Sequence, residues 1–249
     1  MSPRAWTPGL VLLLAACGDG SDPELSPAPE LGPVVRARLA ELERQLATVE
    51  DPPGLEPGRV EEVDGLVTML ASSKGALREV PLEAIREDIG PAAIGRLAEH
   101  VADSARETNL RLAAAELLGV LDHPSAAEVL MRQVEQASEP WMRSWCAWYL
   151  GDTTQDQVVP RLLRRLRYEK DPATFLWLGR ALLNFENYGG LAALEDLATR
   201  GEDDNQRRTA AELLQAAADR ANFEPSELAG LWASQRAGEL PQPTPTLRL

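Results

Sequence analysis

Four stretches of this 249-residue chain repeat one pattern. Ala113-Ala114-Ala115-Glu116-Leu117-Leu118-Gly119 is echoed by Cys146-Ala147-Trp148-Tyr149-Leu150-Gly151, by Gly179-Arg180-Ala181-Leu182-Leu183 and by Ala210-Ala211-Glu212-Leu213-Leu214. The anchor leucines Leu118, Leu150, Leu183 and Leu214 stand 32, 33 and 31 residues apart. A second landmark upstream of each, Val101, Val134, Leu166 and Leu197, keeps steps of 33, 32 and 31. Two landmarks holding one period describe units of two helices and a turn, and such a pair cannot bury its apolar face alone. The units must stack. The expected fold is therefore all-α, a right-handed α-solenoid of antiparallel helix pairs with capping helices at both ends.

Among helical repeats the pattern resembles HEAT repeats. Asn109 through Gly119, followed by Asp122, looks like that family's second helix, with its Arg (Arg111), small-residue pair, Leu-Gly and following Asp. Pro140-Trp141-Met142-Arg143 through Leu150-Gly151-Asp152 matches it again. The third unit departs, with Leu176 at the Arg position and Asn184 at the Gly, and the fourth keeps Arg207 but has Gln215 at the Gly. The resemblance covers roughly residues 91–222, about four repeats. The alternative is another α-solenoid such as a tetratricopeptide array, whose fixed aromatic positions only the second unit begins to supply. Ala114, Cys146, Gly179 and Ala210 share one slot, where a small side chain lets neighbouring helices approach closely.

The flanks read differently. Residues 1–16 carry one positive charge, Arg4, and an apolar run too short to span a bilayer, the form of an export signal. Leu14-Ala15-Ala16-Cys17 resembles the lipobox of bacterial lipoproteins, which implies cleavage before Cys17 and acylation of that residue. Residues 17–31 then hold the lipidated Cys and a Gly/Ser/Pro-rich tether. By the same resemblance Gly18, rather than Asp, after the Cys favours an outer-membrane over an inner-membrane address. Several acyl chains would attach the protein to the membrane without a spanning helix. Residues 32–90 are expected to form capping helices. In the first, Val34, Val35, Leu39, Leu42, Leu46 and Val49 share a face; a second runs from Arg59 to Ser72, and a short one from Pro81 through Ile89. Residues 223–249 supply a last helix, about Ser226 to Ala237, and a tail containing Pro241, Pro243 and Pro245.

The search for chemistry returns little. The sequence has no GxSxG, GxGxxG, Walker loop or HExxH. His100, near Glu99 and Asp103, is read as part of a solvated helix face, and His123 as a turn residue. Cys146 is read as a buried, inert thiol, and Asp203-Asp204-Asn205 as a solvated turn lacking the glycine and spacing of an EF-hand. No metal, cofactor or catalytic residue is expected. A helical-repeat lyase, as related phycobilisome-lyase repeats suggest, would draw on Glu116, Glu212, Tyr149, His100 and His123. Net charge is −14, and −15 once the leader with Arg4 is gone, which disfavours nucleic acid as a partner.

The aromatic residues give direction. Nine of the twelve lie between Trp141 and Tyr188. Counted back from each anchor leucine, positions −9, −6 and −2 form a stripe expected to face solvent: Asn109, Leu112 and Glu116 in the first unit, Asn205, Arg208 and Glu212 in the last. The middle units place Trp141, Ser144 and Trp148, then Thr174, Trp177 and Ala181 on it. Second helices line the concave face of HEAT solenoids, so Trp141, Trp148 and Trp177, flanked by Glu116, Arg208 and Glu212, are the expected contact residues for a protein or peptide partner. The other reading folds the rings into inter-helix grooves, with Trp145 and Tyr149 as core. A basic helix, with Arg161, Arg164 and Arg165 on one face, would touch lipid head groups or an acidic partner, or else neutralise carboxylates of neighbouring repeats. Together these features predict a membrane-anchored scaffold at a bacterial cell envelope. Its alternative is an envelope assembly factor using its capping helices.

Overall fold

A computed structural model describes residues 52–221, with isolated helical positions at 36, 37, 40, 41, 44 and 234. Cys17, the tether, the proline-containing tail and, apart from those positions, the expected Val34–Val49 and Ser226–Ala237 helices lie outside the described residues. Within them the chain is helical, without strands. A 3-10 turn at Pro57–Arg59 leads into α1 (Val60–Ser72), followed by α2 (Glu79–Ala84), whose end widens into a π-turn at Ile85–Ile89. Four helix pairs follow: α3 (Ile94–Ala102) and α4 (Thr108–Leu121), α5 (Pro124–Gln136) and α6 (Pro140–Gly151), α7 (Val159–Tyr168) and α8 (Pro172–Asn184), α9 (Gly189–Arg200) and α10 (Asp204–Ala221). No helix among the described residues is long and apolar enough to cross a membrane.

Proline sets several helix starts. Pro124, Pro140, Pro160 and Pro172 occupy first turns of α5 to α8, where their missing N–H has no intrahelical partner to lose. His123 caps α5 by accepting from the Ser125 N–H at 3.2 Å, and Asp171 caps α8 by accepting from the Thr174 N–H at 2.7 Å. The turn between α4 and α5 is made by Asp122 in the left-handed region at φ 44.

Both landmarks hold. Val101, Val134, Leu166 and Leu197 are buried on the first helices; Leu118, Leu150 and Leu183 are buried on the second, and Leu214 is half-buried at the end of the described stack. The small-residue slot is also closed, with Ala114, Cys146, Gly179 and Ala210 all buried. Consecutive second helices (α4, α6, α8, α10) pack on one another in a second layer, more extensively than the first helices do.

The pattern's Arg and Asp tie the first unit to the second and the second to the third. Arg111 donates to the Val101 carbonyl at 3.1 Å, closing the end of α3, and to Glu139 at 2.9 Å in the following unit. Arg143 likewise donates to the Ala137 and Ser138 carbonyls and to Glu169, and Arg207 to the Gly201 and Glu202 carbonyls. Asp122 accepts from the Thr154 N–H and hydroxyl, and Asp152 pairs with Arg180 at 2.7 Å. The third unit, with Leu176 in place of Arg, buries that leucine instead.

Candidate partner-binding surface

The four indoles of the middle units stand at i, i+4 and i+7 on α6 (Trp141, Trp145, Trp148) and at Trp177 on α8. All four are half-buried. Tyr149 stacks on Trp145 with centroids 5.9 Å apart and 27° between planes; Trp145 meets Trp148 at 6.1 Å and 57°; Trp148 meets Trp177 edge-to-face at 4.6 Å and 78°. Tyr149, Trp145, Trp148 and Trp177 therefore make one continuous aromatic band across two second helices. Trp177 and Tyr149 rest on the hydrophobic core, whereas Trp145 and Trp148 are the band's outer members. The Arg180 guanidinium lies 4.0 Å over the Trp148 ring, held there by Asp152 and the Trp148 carbonyl.

One end of the band is polar. The Tyr149 hydroxyl donates to Glu116 at 3.3 Å, and Glu116 is paired with Arg78 from the turn before α2. Burial pushes the Tyr149 hydroxyl well above its ordinary value and the neighbouring Glu116 charge adds to this, so it stays a donor. Trp141 stands apart from the band, in the α4–α6 seam, under Arg111 at 5.1 Å.

The stripe expected to face solvent does so only at the ends of the stack. Asn109, Arg208 and Glu212 are exposed, but Ser144, Thr174 and Ala181 are buried. The physical reason is the closeness of α6 and α8. The Ser144 and Thr174 hydroxyls hydrogen-bond each other at 3.0 Å, and a Cβ on Gly151 would stand 2.9 Å from the Ala181 Cα. Ser144 thus belongs to the seam, and Trp145, read from sequence as core, takes its place on the outer stripe. The i, i+4, i+7 spacing of Trp141, Trp145 and Trp148 was the signal for it. Arg180 and Asp152 carried no sequence signal of a role at the band.

The other sequence candidates fall as follows. Arg208 and Glu212 pair with each other along α10 at 3.9 Å. His100 is buried rather than solvated, because α1 covers α3: its ring lies 2.6 Å from Asp64 on α1 and 2.8 Å from Arg106. Arg106 can only donate, so Nδ1 accepts and Nε2 carries the hydrogen toward Asp64. Of the lyase candidates only Glu116 and Tyr149 meet; His123 caps its helix. On α7, Arg161 bridges Glu128 and Glu135 of the preceding unit, and Arg165 pairs with Glu169 at 2.5 Å, so both are committed to carboxylates. Arg164 is exposed. Burial raises Glu169, but hydrogen bonds from Arg143, the Asp171 N–H and Arg165 outweigh it and leave its carboxyl below the ordinary value. Cys146 is buried, and burial drives its thiol far above the ordinary range. No group of three or more His, Cys, Asp or Glu side chains suited to a metal ion occurs among the described residues.

A stack of antiparallel helix pairs with two intermeshed layers is an α-solenoid. Residues 96–183, which span α3 to α8, match the family of HEAT repeats. No curated protein matches the chain. The matched segment contains the whole aromatic band and both complete Arg and Asp ties, and such repeats commonly mediate protein interactions.

Proposed function

We propose that the protein is a lipid-anchored helical-repeat scaffold of a bacterial cell envelope that grips a protein or peptide partner along its second-helix layer. The observation that carries this reading is the aromatic band: four touching rings, two of them outside the core, on the second-helix layer of a HEAT-like stack. Packed interiors hide large apolar rings, and a contiguous half-open set of indoles beside a held arginine has the composition of an interface centre. The anchor at Cys17 rests on the lipobox resemblance, as does the preference for the outer membrane. Cross-linking with mass spectrometry in the native envelope names the partner. Trp145→Ala, Trp148→Ala and Trp177→Ala together are expected to abolish its capture while far-UV circular dichroism stays helical; retained capture removes the band from the reading. Cys17→Ser is expected to abolish fatty-acid labelling, and persistent labelling defeats the anchor.

Leu77, Val80 and Met69, respectively 68%, 54% and 44% exposed at the N-terminal end of the described stack, favour a second reading in which an assembly partner docks on the capping helices. Substitution there, and not at the band, would then abolish capture.

A further inference from the structure

We propose that the chain's own segment Pro241-Gln242-Pro243-Thr244-Pro245 docks on the aromatic band and occupies it until a partner displaces it. This rests on the reading of the band as a binding surface. The band offers ring faces, while its charged side chains and the Tyr149 hydroxyl are already engaged: Tyr149 donates to Glu116, Glu116 is paired with Arg78, and Arg180 with Asp152. A ligand that binds there gains from stacking and brings acceptors for indole N–H groups rather than charge or further donors. Proline meets this requirement, because it has no N–H to satisfy and its flat ring packs on indole.

Shape and length agree. Ring-to-ring steps of 5.9, 6.1 and 4.6 Å make the band no more than about 17 Å long; five residues of polyproline II span about 15 Å. That helix has three faces, and the 78° corner between Trp148 and Trp177 accepts two of them. Reach is sufficient. By the repeat register Ala221 lies 13 residues beyond the level of Trp177, about 20 Å along the axis, and one helix spacing of about 9 Å to the side. The 19 residues 222–240 cover that distance even with the expected Ser226–Ala237 helix formed, at about 40 Å.

The test uses the full chain and a fluorescein-labelled peptide of residues 238–249, read by anisotropy. A tethered occupant acts at an effective concentration in the millimolar range. The peptide is therefore expected to bind the Pro241→Ser/Pro243→Ser/Pro245→Ser chain about tenfold more tightly than the wild-type chain. Adding Trp148→Ala to that variant is expected to weaken binding about tenfold, and Trp145→Ala, checked for retained helicity, to do the same. Equal affinity for the wild-type and proline-substituted chains, no measurable binding, or indifference to both Trp changes overturns the proposal. If the peptide fails while partner capture still depends on the indoles, only the tail docking falls. If the peptide binds while capture survives loss of the indoles, the docking stands and the partner reading falls.

Discussion

Gly190 is where one added methyl has most to displace. It is the second residue of α9, and a Cβ there would stand 2.2 Å from the Gly179 carbonyl oxygen and 3.1 Å from the Leu182 Cβ, both on α8. A backbone oxygen inside a helix cannot swing aside, so α9 has to retreat by roughly 1 Å to restore ordinary contact, which forfeits a quarter to a half of the dispersion across the gap. Overpacking of this kind costs about 1–3 kcal/mol, and a backbone obstacle places Gly190→Ala at the upper end. Alanine returns up to about 1 kcal/mol as the better helix former, leaving a net loss of about 2 kcal/mol. Gly95 is the matched control: it is also the second residue of its helix, α3, but its Cβ would meet nothing within 4 Å. Gly95→Ala is thus expected to be neutral or stabilising by up to about 1 kcal/mol. In thermal unfolding followed by circular dichroism, Gly190→Ala should lower Tm by about 4–8 °C. Repeat stacks open from weakened ends, so hydrogen exchange should rise first in α9 and α10. A Tm for Gly190→Ala equal to that of Gly95→Ala would refute the close approach of α8 and α9.

Two further outcomes follow from burial and charge. Glu139 is held at about 2, below the model-compound 4.5, first by the hydrogen bond from Arg111 and then by that from Ser138. A depressed carboxylate contributes stability that is present above pH 4.5 and is lost as pH falls toward 2. Glu139→Gln should therefore lower Tm near neutrality and flatten its decline between those pH values, and an unchanged acid limb would show that the Arg111 tie carries no stability. Cys146 should be unreactive toward a thiol reagent in the folded chain and react on denaturation, since burial opposes thiolate formation; rapid labelling of the native protein would contradict its closed slot.

The repeat made most of this fold legible. The period and small-residue slot depend only on which residues must be buried, and burial is written in spacing; hence α3 to α10 fall where the landmarks put them. The helix from Arg59 to Ser72 was readable for the same reason. What spacing cannot show is which face of a second helix meets the next unit. Ser144 and Thr174 fell on the stripe counted back from the anchor leucines, yet they satisfy each other inside the α6–α8 seam. His100 looked solvated because its neighbours Glu99 and Asp103 are charged; only the covering α1, some 36 residues earlier in sequence at Asp64, buries it. On α7 the reading that the arginines neutralise carboxylates of a neighbouring repeat holds at Arg161, whose partners Glu128 and Glu135 belong to α5.

The departures of the third unit and the position of the aromatic band have one cause. Where the first two units place Arg and Gly, this one has Leu176 and Asn184, so it lacks the polar tie back to its own first helix. It compensates through contact. Asn184 donates to the Gly151 carbonyl at 2.8 Å, Gly151 faces Ala181 without room for a Cβ, and Gly179 admits α9 on the other side. The Asn184 and Gly151 contacts draw α6 and α8 together along their C-terminal halves, and Trp148 and Trp177 sit beside that line, at 4.6 Å. Indoles one repeat apart would ordinarily be separated by the helix spacing of about 8–10 Å. The small residues at Gly151 and Ala181 are thus what turns separate tryptophans into a continuous band. Gly151→Ala is expected to part Trp148 from Trp177 before it unfolds the stack, so the same substitution should cost partner capture more than helicity. Capture that fell only in step with helicity would mean the seam does not position the rings.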